Sequence, residues 1–145
     1  MIKPVFFCLV LLLPSVQAPQ EVTWKMLEDV TFSKEWNKEE GMYILYPKFG
    51  AAIKKLEGKE IFINGYVIPV DYNDNFYVLS AFPYSACFFC GGAGPESVMS
   101  LRFRDKKRKF KTDEKLTFRG TLKLNATDIY EMNYILEDAR IHAEK

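Results

Sequence analysis

Leu116, Phe118, Gly120, Leu122 and Leu124 alternate without a slip with Thr117, Arg119, Thr121 and Lys123. A period of two puts the first set on one face of an extended chain, so this segment reads as a half-buried strand. A strand needs neighbours, and the surrounding sequence supplies them. Glu60 to Val70, Phe76 to Phe82, Val98 to Arg104 and Tyr130 to Ile141 are apolar-rich runs of strand character, the first two separated by the turn cluster Asp71-Tyr72-Asn73-Asp74-Asn75. Gly65 falls near the middle of the first run and Gly120 inside the fourth, where a sharply bending strand omits a side chain. Five strands with two such glycines and no long helix between them predict an all-β, OB-like five-stranded barrel over 59–145. Closure into a barrel removes exposed sheet edges. An open sheet packed on N-terminal helices is the competing topology.

Residues 19–58 read as an N-terminal extension built on short helices. Trp24, Leu27 and Val30 recur at helical spacing after Thr23, a permissible N-cap. Met42 to Tyr46 has strand character. Pro47 then opens a predicted helix with Phe49, Ala52, Ile53 and Leu56 on one face and Gly58 at its end.

The first 18 residues read as an address. Lys3 gives a minimal positive start, Val5 to Leu13 is an unbroken apolar run, and Val16-Gln17-Ala18 presents small residues to a signal peptidase. The run is too short for a stable membrane span, which needs roughly 20 apolar residues. Cys8 lacks a lipobox-like approach. Pro19 is a poor first residue for the product, so removal of the peptide is expected to be shifted or slow. The chain is therefore expected to be exported, to a periplasm or the exterior. The whole chain carries 20 Lys+Arg against 19 Asp+Glu, and loss of Lys3 brings the two to 19 each. Such balance argues against a dedicated nucleic-acid binder, whose affinity comes from excess positive charge.

Chemistry is concentrated in Ser80 to Ser97, where Cys87 and Cys90 stand two residues apart, followed by Gly91-Gly92. That spacing lets two thiolates face one centre, and the glycines free backbone N–H groups to turn toward sulfur, as in a metal knuckle. Zinc is the expected ion. A structural zinc site needs four ligands, and a second Cys-x-x-Cys pair is absent. Glu96 and His142 are the further candidate ligands, and a second copy of the knuckle in a homodimer, water or a partner would also complete the sphere. The rival reading is a disulfide, because exported proteins meet oxidising conditions. Closing so short a loop stabilises by only about 2 kcal/mol, so a disulfide here makes better sense as a redox centre than as a brace. No helical run follows Cys90, unlike a thioredoxin motif, and Gly91 stands where c-type haem attachment requires His. A plain interaction module whose cysteines only shape the loop is the third reading.

Leu56-Glu57-Gly58-Lys59-Glu60-Ile61, running into Gly65-Tyr66-Val67-Ile68-Pro69, resembles the first strand of a family of small exported bacterial proteins of unknown function. Its members read approximately Leu-x-Gly-Lys-x-Val-x-Ile-x-Gly-Phe-Val-Val-Pro, then Ala-Cys-x-His and a proline-rich loop. This chain has Ala86-Cys87 at the matching place, Phe89 where the His would fall, and Cys90 directly after. Gly91-Gly92-Ala93-Gly94-Pro95 replaces the proline run. The Cys-x-x-Cys-Gly-Gly version is similar to a Bacteroidetes-type subgroup. The resemblance covers the C-terminal two-thirds and implies an exported OB-like domain, associated in some members with metal-transport loci. Only Cys87 is carried over directly.

Other signals are discounted. Lys106-Lys107-Arg108-Lys109 beside Phe110 reads as a solvated loop, and Asn125-Ala126-Thr127 is a glycosylation sequon that matters only in a eukaryotic host. Tyr66, Phe76, Tyr77, Phe82, Tyr130 and Tyr134 are spaced as strand residues and read as core. With one histidine, no Ser-His-Asp set, no paired carboxylates, no phosphate loop and no HExxH motif, a non-enzymatic module is expected.

Overall fold

The computed structural model describes residues 18–71, 74–84, 93–105 and 109–143. In chain order the elements are β1 (Gln20–Glu21), α1 (Trp24–Leu27), β2 (Val30–Asn37), β3 (Met42–Phe49), α2 (Ala51–Lys54), β4 (Glu60–Asp71), β5 (Phe76–Ser80), a 3-10 turn (Pro95–Ser97), β6 (Val98–Phe103), β7 (Glu114–Leu124) and β8 (Tyr134–Ile141).

β4, β5, β6, β8 and β7 are hydrogen-bonded in that order, and β7 pairs back onto β4, so the sheet closes into a five-stranded barrel. All neighbours are antiparallel except β6 and β8. β4 makes closure possible. Its first part pairs with β7 from Glu60↔Thr121 to Val67↔Glu114, and its last part pairs with β5 from Tyr66↔Ser80 to Asp71↔Phe76. Gly65 lies where the partner changes. A Cβ there would sit 2.7 Å from the Ser80 carbonyl oxygen and 2.9 Å from Leu79 Cγ. Gly120 plays the same part in β7, where a Cβ would come within 2.5 Å of the Glu137 carbonyl oxygen. That carbonyl belongs to an irregular stretch of β8 in which Asp138 has φ of 52° and the register to both neighbours shifts.

The interior is filled by alternate residues, as period two requires. Ile61, Ile63 and Val67 of β4, Tyr77 and Leu79 of β5, Met99 and Leu101 of β6, and Phe118 and Leu122 of β7 are all buried. Phe110, from the β6–β7 connection, packs with Tyr77, Phe103 and Phe118 at ring-centroid distances of 5.1 to 5.5 Å. Toward the other end, Tyr134 donates its hydroxyl to the Leu27 carbonyl at 2.6 Å, and its ring lies 5.5 Å from Phe49. Val22, Leu27, Ile53 and Leu56 join the same buried cluster as the barrel interior, so residues 19–58 share its core.

The extension is not the helical segment expected. Its helices are single turns of four residues, and its largest element is the β2–β3 hairpin, in register from Val30↔Phe49 to Asn37↔Met42. Val30 opens a strand instead of closing a helical face. Pro47 lies inside β3, opposite Phe32, instead of opening a helix. A two-stranded ribbon tolerates it because each strand has a free edge where a missing N–H costs nothing. α2 forms later than expected, with Asp29 Oδ2 accepting the Ala52 and Ile53 amides at 2.9 and 3.2 Å. That carboxylate satisfies N–H groups that the helix itself cannot. No helix among the described residues is long and apolar enough to cross a membrane.

Candidate functional site

Cys87 and Cys90 lie outside the described residues, as does the predicted address segment but for Ala18. The two stems of the cysteine segment are described. On the way out, Ala81 donates to the Ser97 carbonyl at 3.0 Å, Phe82 N–H to Ser80 Oγ at 3.2 Å, and Tyr84 N–H to Asp113 Oδ1 at 2.6 Å. On the way back, Pro95 leads the 3-10 turn. Ser97 closes it by donating its amide and hydroxyl to the Gly94 carbonyl at 3.0 and 2.8 Å.

α1 packs against that turn. Between them lies a cavity of about 190 Å³ lined by Trp24, Glu28, Ala81, Phe82, Ala93 and Glu96. Trp24 is fixed by its indole N–H, which donates to the Asn64 carbonyl at 2.8 Å. Glu28 is ion-paired with Lys25 on the exposed side of α1. The Glu96 carboxylate folds back over Gly94, close enough that a Cβ there would be 2.2 Å from Glu96 Oε2. Its charge reaches Tyr134, whose hydroxyl pKa is raised first by burial and then by Glu96 and Asp29. Raising the phenol's pKa keeps it protonated, which is the form that donates to Leu27.

His142 is elsewhere and is not the free tail residue its position implies. Its ring stacks on Phe62 with centroids 4.4 Å apart and planes 8° from parallel, and its amide donates to the Thr117 carbonyl at 2.8 Å. Among the described residues its buried Nδ1 has no hydrogen-bond partner. Glu96 sits by the Tyr134 end of β8 and His142 just past the Ile141 end, roughly 25 Å of extended chain away. The two candidate ligands are therefore not brought together. Among the described residues no group of three or more His, Cys, Asp or Glu is placed to hold a metal ion.

Glu28 and Trp24 had no signal in the sequence that linked them to the cysteine segment. They reach it because α1 covers the 3-10 turn, a contact set by the tertiary fold. The expected aromatic core divides: Tyr77 and Tyr134 are buried, whereas Phe82 and Tyr130 are 51% and 77% exposed. Phe110 beside the basic run is only 4% exposed, so its ring is a core component and offers no stacking surface.

No protein-family model matches the chain. No curated protein matches it either. In fold the chain is similar to a DUF3299 family protein from Pseudomonas aeruginosa PAO1, with a TM-score of 0.54 at 15% identity over 89% of this chain and 99% of that one.

Proposed function

We propose that this chain is an exported, non-enzymatic OB-type module that binds a thiophilic metal, zinc, through Cys87 and Cys90, in metal handling or in holding a loop that docks a partner. Residues 1–18 would be the export signal, with the mature protein in a periplasm or outside the cell. The barrel order supports the OB assignment: counted from β4, the strands run first, second, third, fifth, fourth and back to the first. The Bacteroidetes-type Cys-x-x-Cys-Gly-Gly subgroup remains the proposed affiliation.

The observation that carries the metal reading is the root of the cysteine loop. The outgoing stem is bonded to Asp113 and the two stems to each other through Ala81 and Ser97, and Glu96, a carboxylate ligand type for zinc, stands at the returning stem. Two thiolates and one carboxylate make three donors of kinds zinc accepts, leaving the fourth position for water, a partner or a second copy. His142 drops out of the proposed set, because it lies at the far end of β8.

A thiol–disulfide role for the same pair is the second reading, favoured by the oxidising compartment that export implies. The expected outcome of native mass spectrometry on the exported protein, prepared without chelator or reductant, is a mass raised by one zinc per chain or per dimer. Cys90→Ser should lose the metal while keeping the fold. A metal-free mass short by two hydrogens would replace the metal reading with the redox one. A reduced, metal-free protein would leave the plain interaction module.

A further inference from the structure

The β2–β3 hairpin carries an apolar face that the rest of the chain covers only in part. The face formed by Val30, Phe32, Lys34 and Trp36 with their partners Phe49, Pro47, Leu45 and Tyr43 begins inside the molecule, where Pro47 is buried and Phe49 packs on Tyr134. It continues outward with Trp36 54%, Tyr43 61% and Leu45 48% exposed. Trp36 and Tyr43 are cross-strand partners in edge-to-face contact at 5.1 Å, and Lys34 Nζ lies 4.8 Å above the Tyr43 ring. Among the described residues β2 and β3 pair only with each other. Trp and Tyr held rigidly on a ribbon give large contact area at little entropic cost and are the residues most enriched at binding hot spots.

We infer that this outer face is a self-association surface, on which a second copy of the chain stacks its own hairpin across a two-fold axis, antiparallel to the first. The charges select that occupant. The ribbon tip carries Lys38, Glu39 and Glu40, a net negative charge, with Glu40 accepting the Tyr130 hydroxyl at 2.7 Å, while Lys34 marks the inner end of the aromatic patch. Centred between the Lys34–Leu45 and Trp36–Tyr43 rows, antiparallel stacking puts the aromatic pair of each copy on Lys34 and Leu45 of the other. It also brings each Lys34 within one row of the opposite acidic tip. Parallel stacking would set like charges together. Removing Lys34 from water strengthens its attraction to Tyr43 as well. At these exposures the patch and its charged rim bury about 1,000 Å² over two copies, the lower limit for a specific interface. The dimer is accordingly weak.

Sedimentation equilibrium of the purified chain from about 1 µM to about 1 mM tests this. Reductant and chelator keep thiols and metal from bridging copies. The expected result is a monomer–dimer equilibrium within that range. Trp36→Glu should weaken it at least tenfold while keeping a cooperative melt, since Trp36 is half exposed and its loss removes one cross-strand contact on the ribbon. Lys34→Glu and Glu39→Lys should each weaken it, and the double variant should recover it. A monomer at every concentration, or self-association indifferent to Trp36→Glu, overturns the proposal. Failure of the double variant to recover association overturns the antiparallel arrangement.

Discussion

Asn125 stands in the sequence as the acceptor of an Asn-x-Thr sequon, and in the fold its side chain is committed to the backbone. Its amide donates among the carbonyls of Asp128, Glu131 and Met132 at 2.7, 3.4 and 3.2 Å, and its carbonyl accepts from the amides of Thr127 and Asp128 at 3.2 and 2.9 Å. With the residue 7% exposed, no glycan fits there without unfolding the β7–β8 loop. Asn125→Ala should lower stability by about 2–3 kcal/mol in urea unfolding, because it strands several buried backbone groups at once. A glycan attached to the unfolded chain in a glycosylating host should keep this loop from forming, so the glycosylated fraction should lack the native circular dichroism. Gly65 belongs to the same scale. Gly65→Ala drives a methyl against the Ser80 carbonyl and should cost about 1–3 kcal/mol, read by the same denaturation. Both barrel glycines were legible in the sequence, because a side chain missing from an otherwise regular strand implies close approach. The packing of His142 was not legible. Nothing near it in the chain announces that Phe62 will stack beneath its ring.

At the scale of elements, the Glu60 carboxylate joins three strands. It accepts from Arg119 of β7, with Nη2 at 3.2 Å, and from Arg140 of β8. Burial acts to raise its pKa, but the Arg140 hydrogen bond and the charges of Arg119 and Arg140 outweigh that, and the net shift is downward from 4.5. A depressed carboxylate pKa contributes stability that is fully present above the ordinary value and is lost as pH falls through the lower native one. Glu60→Gln should therefore cost about 0.5–1 kcal/mol at pH 7 and almost nothing near pH 2, measured by urea unfolding at both. The five barrel strands announce themselves through alternation, because each has one face inside. Of the hairpin, β3 was read in part as Met42 to Tyr46, and β2 was missed for a related reason. β2 does alternate Val30, Phe32, Lys34 and Trp36 with Thr31, Ser33, Glu35 and Asn37, but its apolar face is only half covered and includes a lysine. The helical spacing of Trp24, Leu27 and Val30 masked its start. For the candidate site, the pairing of two cysteines was visible at once, whereas the approach of α1 to the loop root depends on a tertiary contact with no local trace.

For the molecule as a whole, the extension and the barrel are packed around one core. Leu27 and Leu136 are both 0% exposed and belong to one buried cluster, although one lies before the barrel and the other in its last strand. Leu27→Ala and Leu136→Ala should each cost about 3–4 kcal/mol, and each variant should still unfold in a single transition seen alike by fluorescence and circular dichroism. A separate, early transition for Leu27→Ala would mean that residues 19–58 melt on their own. The strand order also sets a timetable. Gln20 must wait for Ile61 and Glu60 for Thr121, and β8, the last strand, is inserted between β6 and β7. A chain delivered amino end first thus holds both barrel edges open until its final residues arrive. β1 needs only β4 for its pairing, so the amino end can join the sheet before β8 arrives. The last strand therefore decides when the barrel closes, and a chain cut short before Tyr134 would keep two unpaired edges, on β6 and β7.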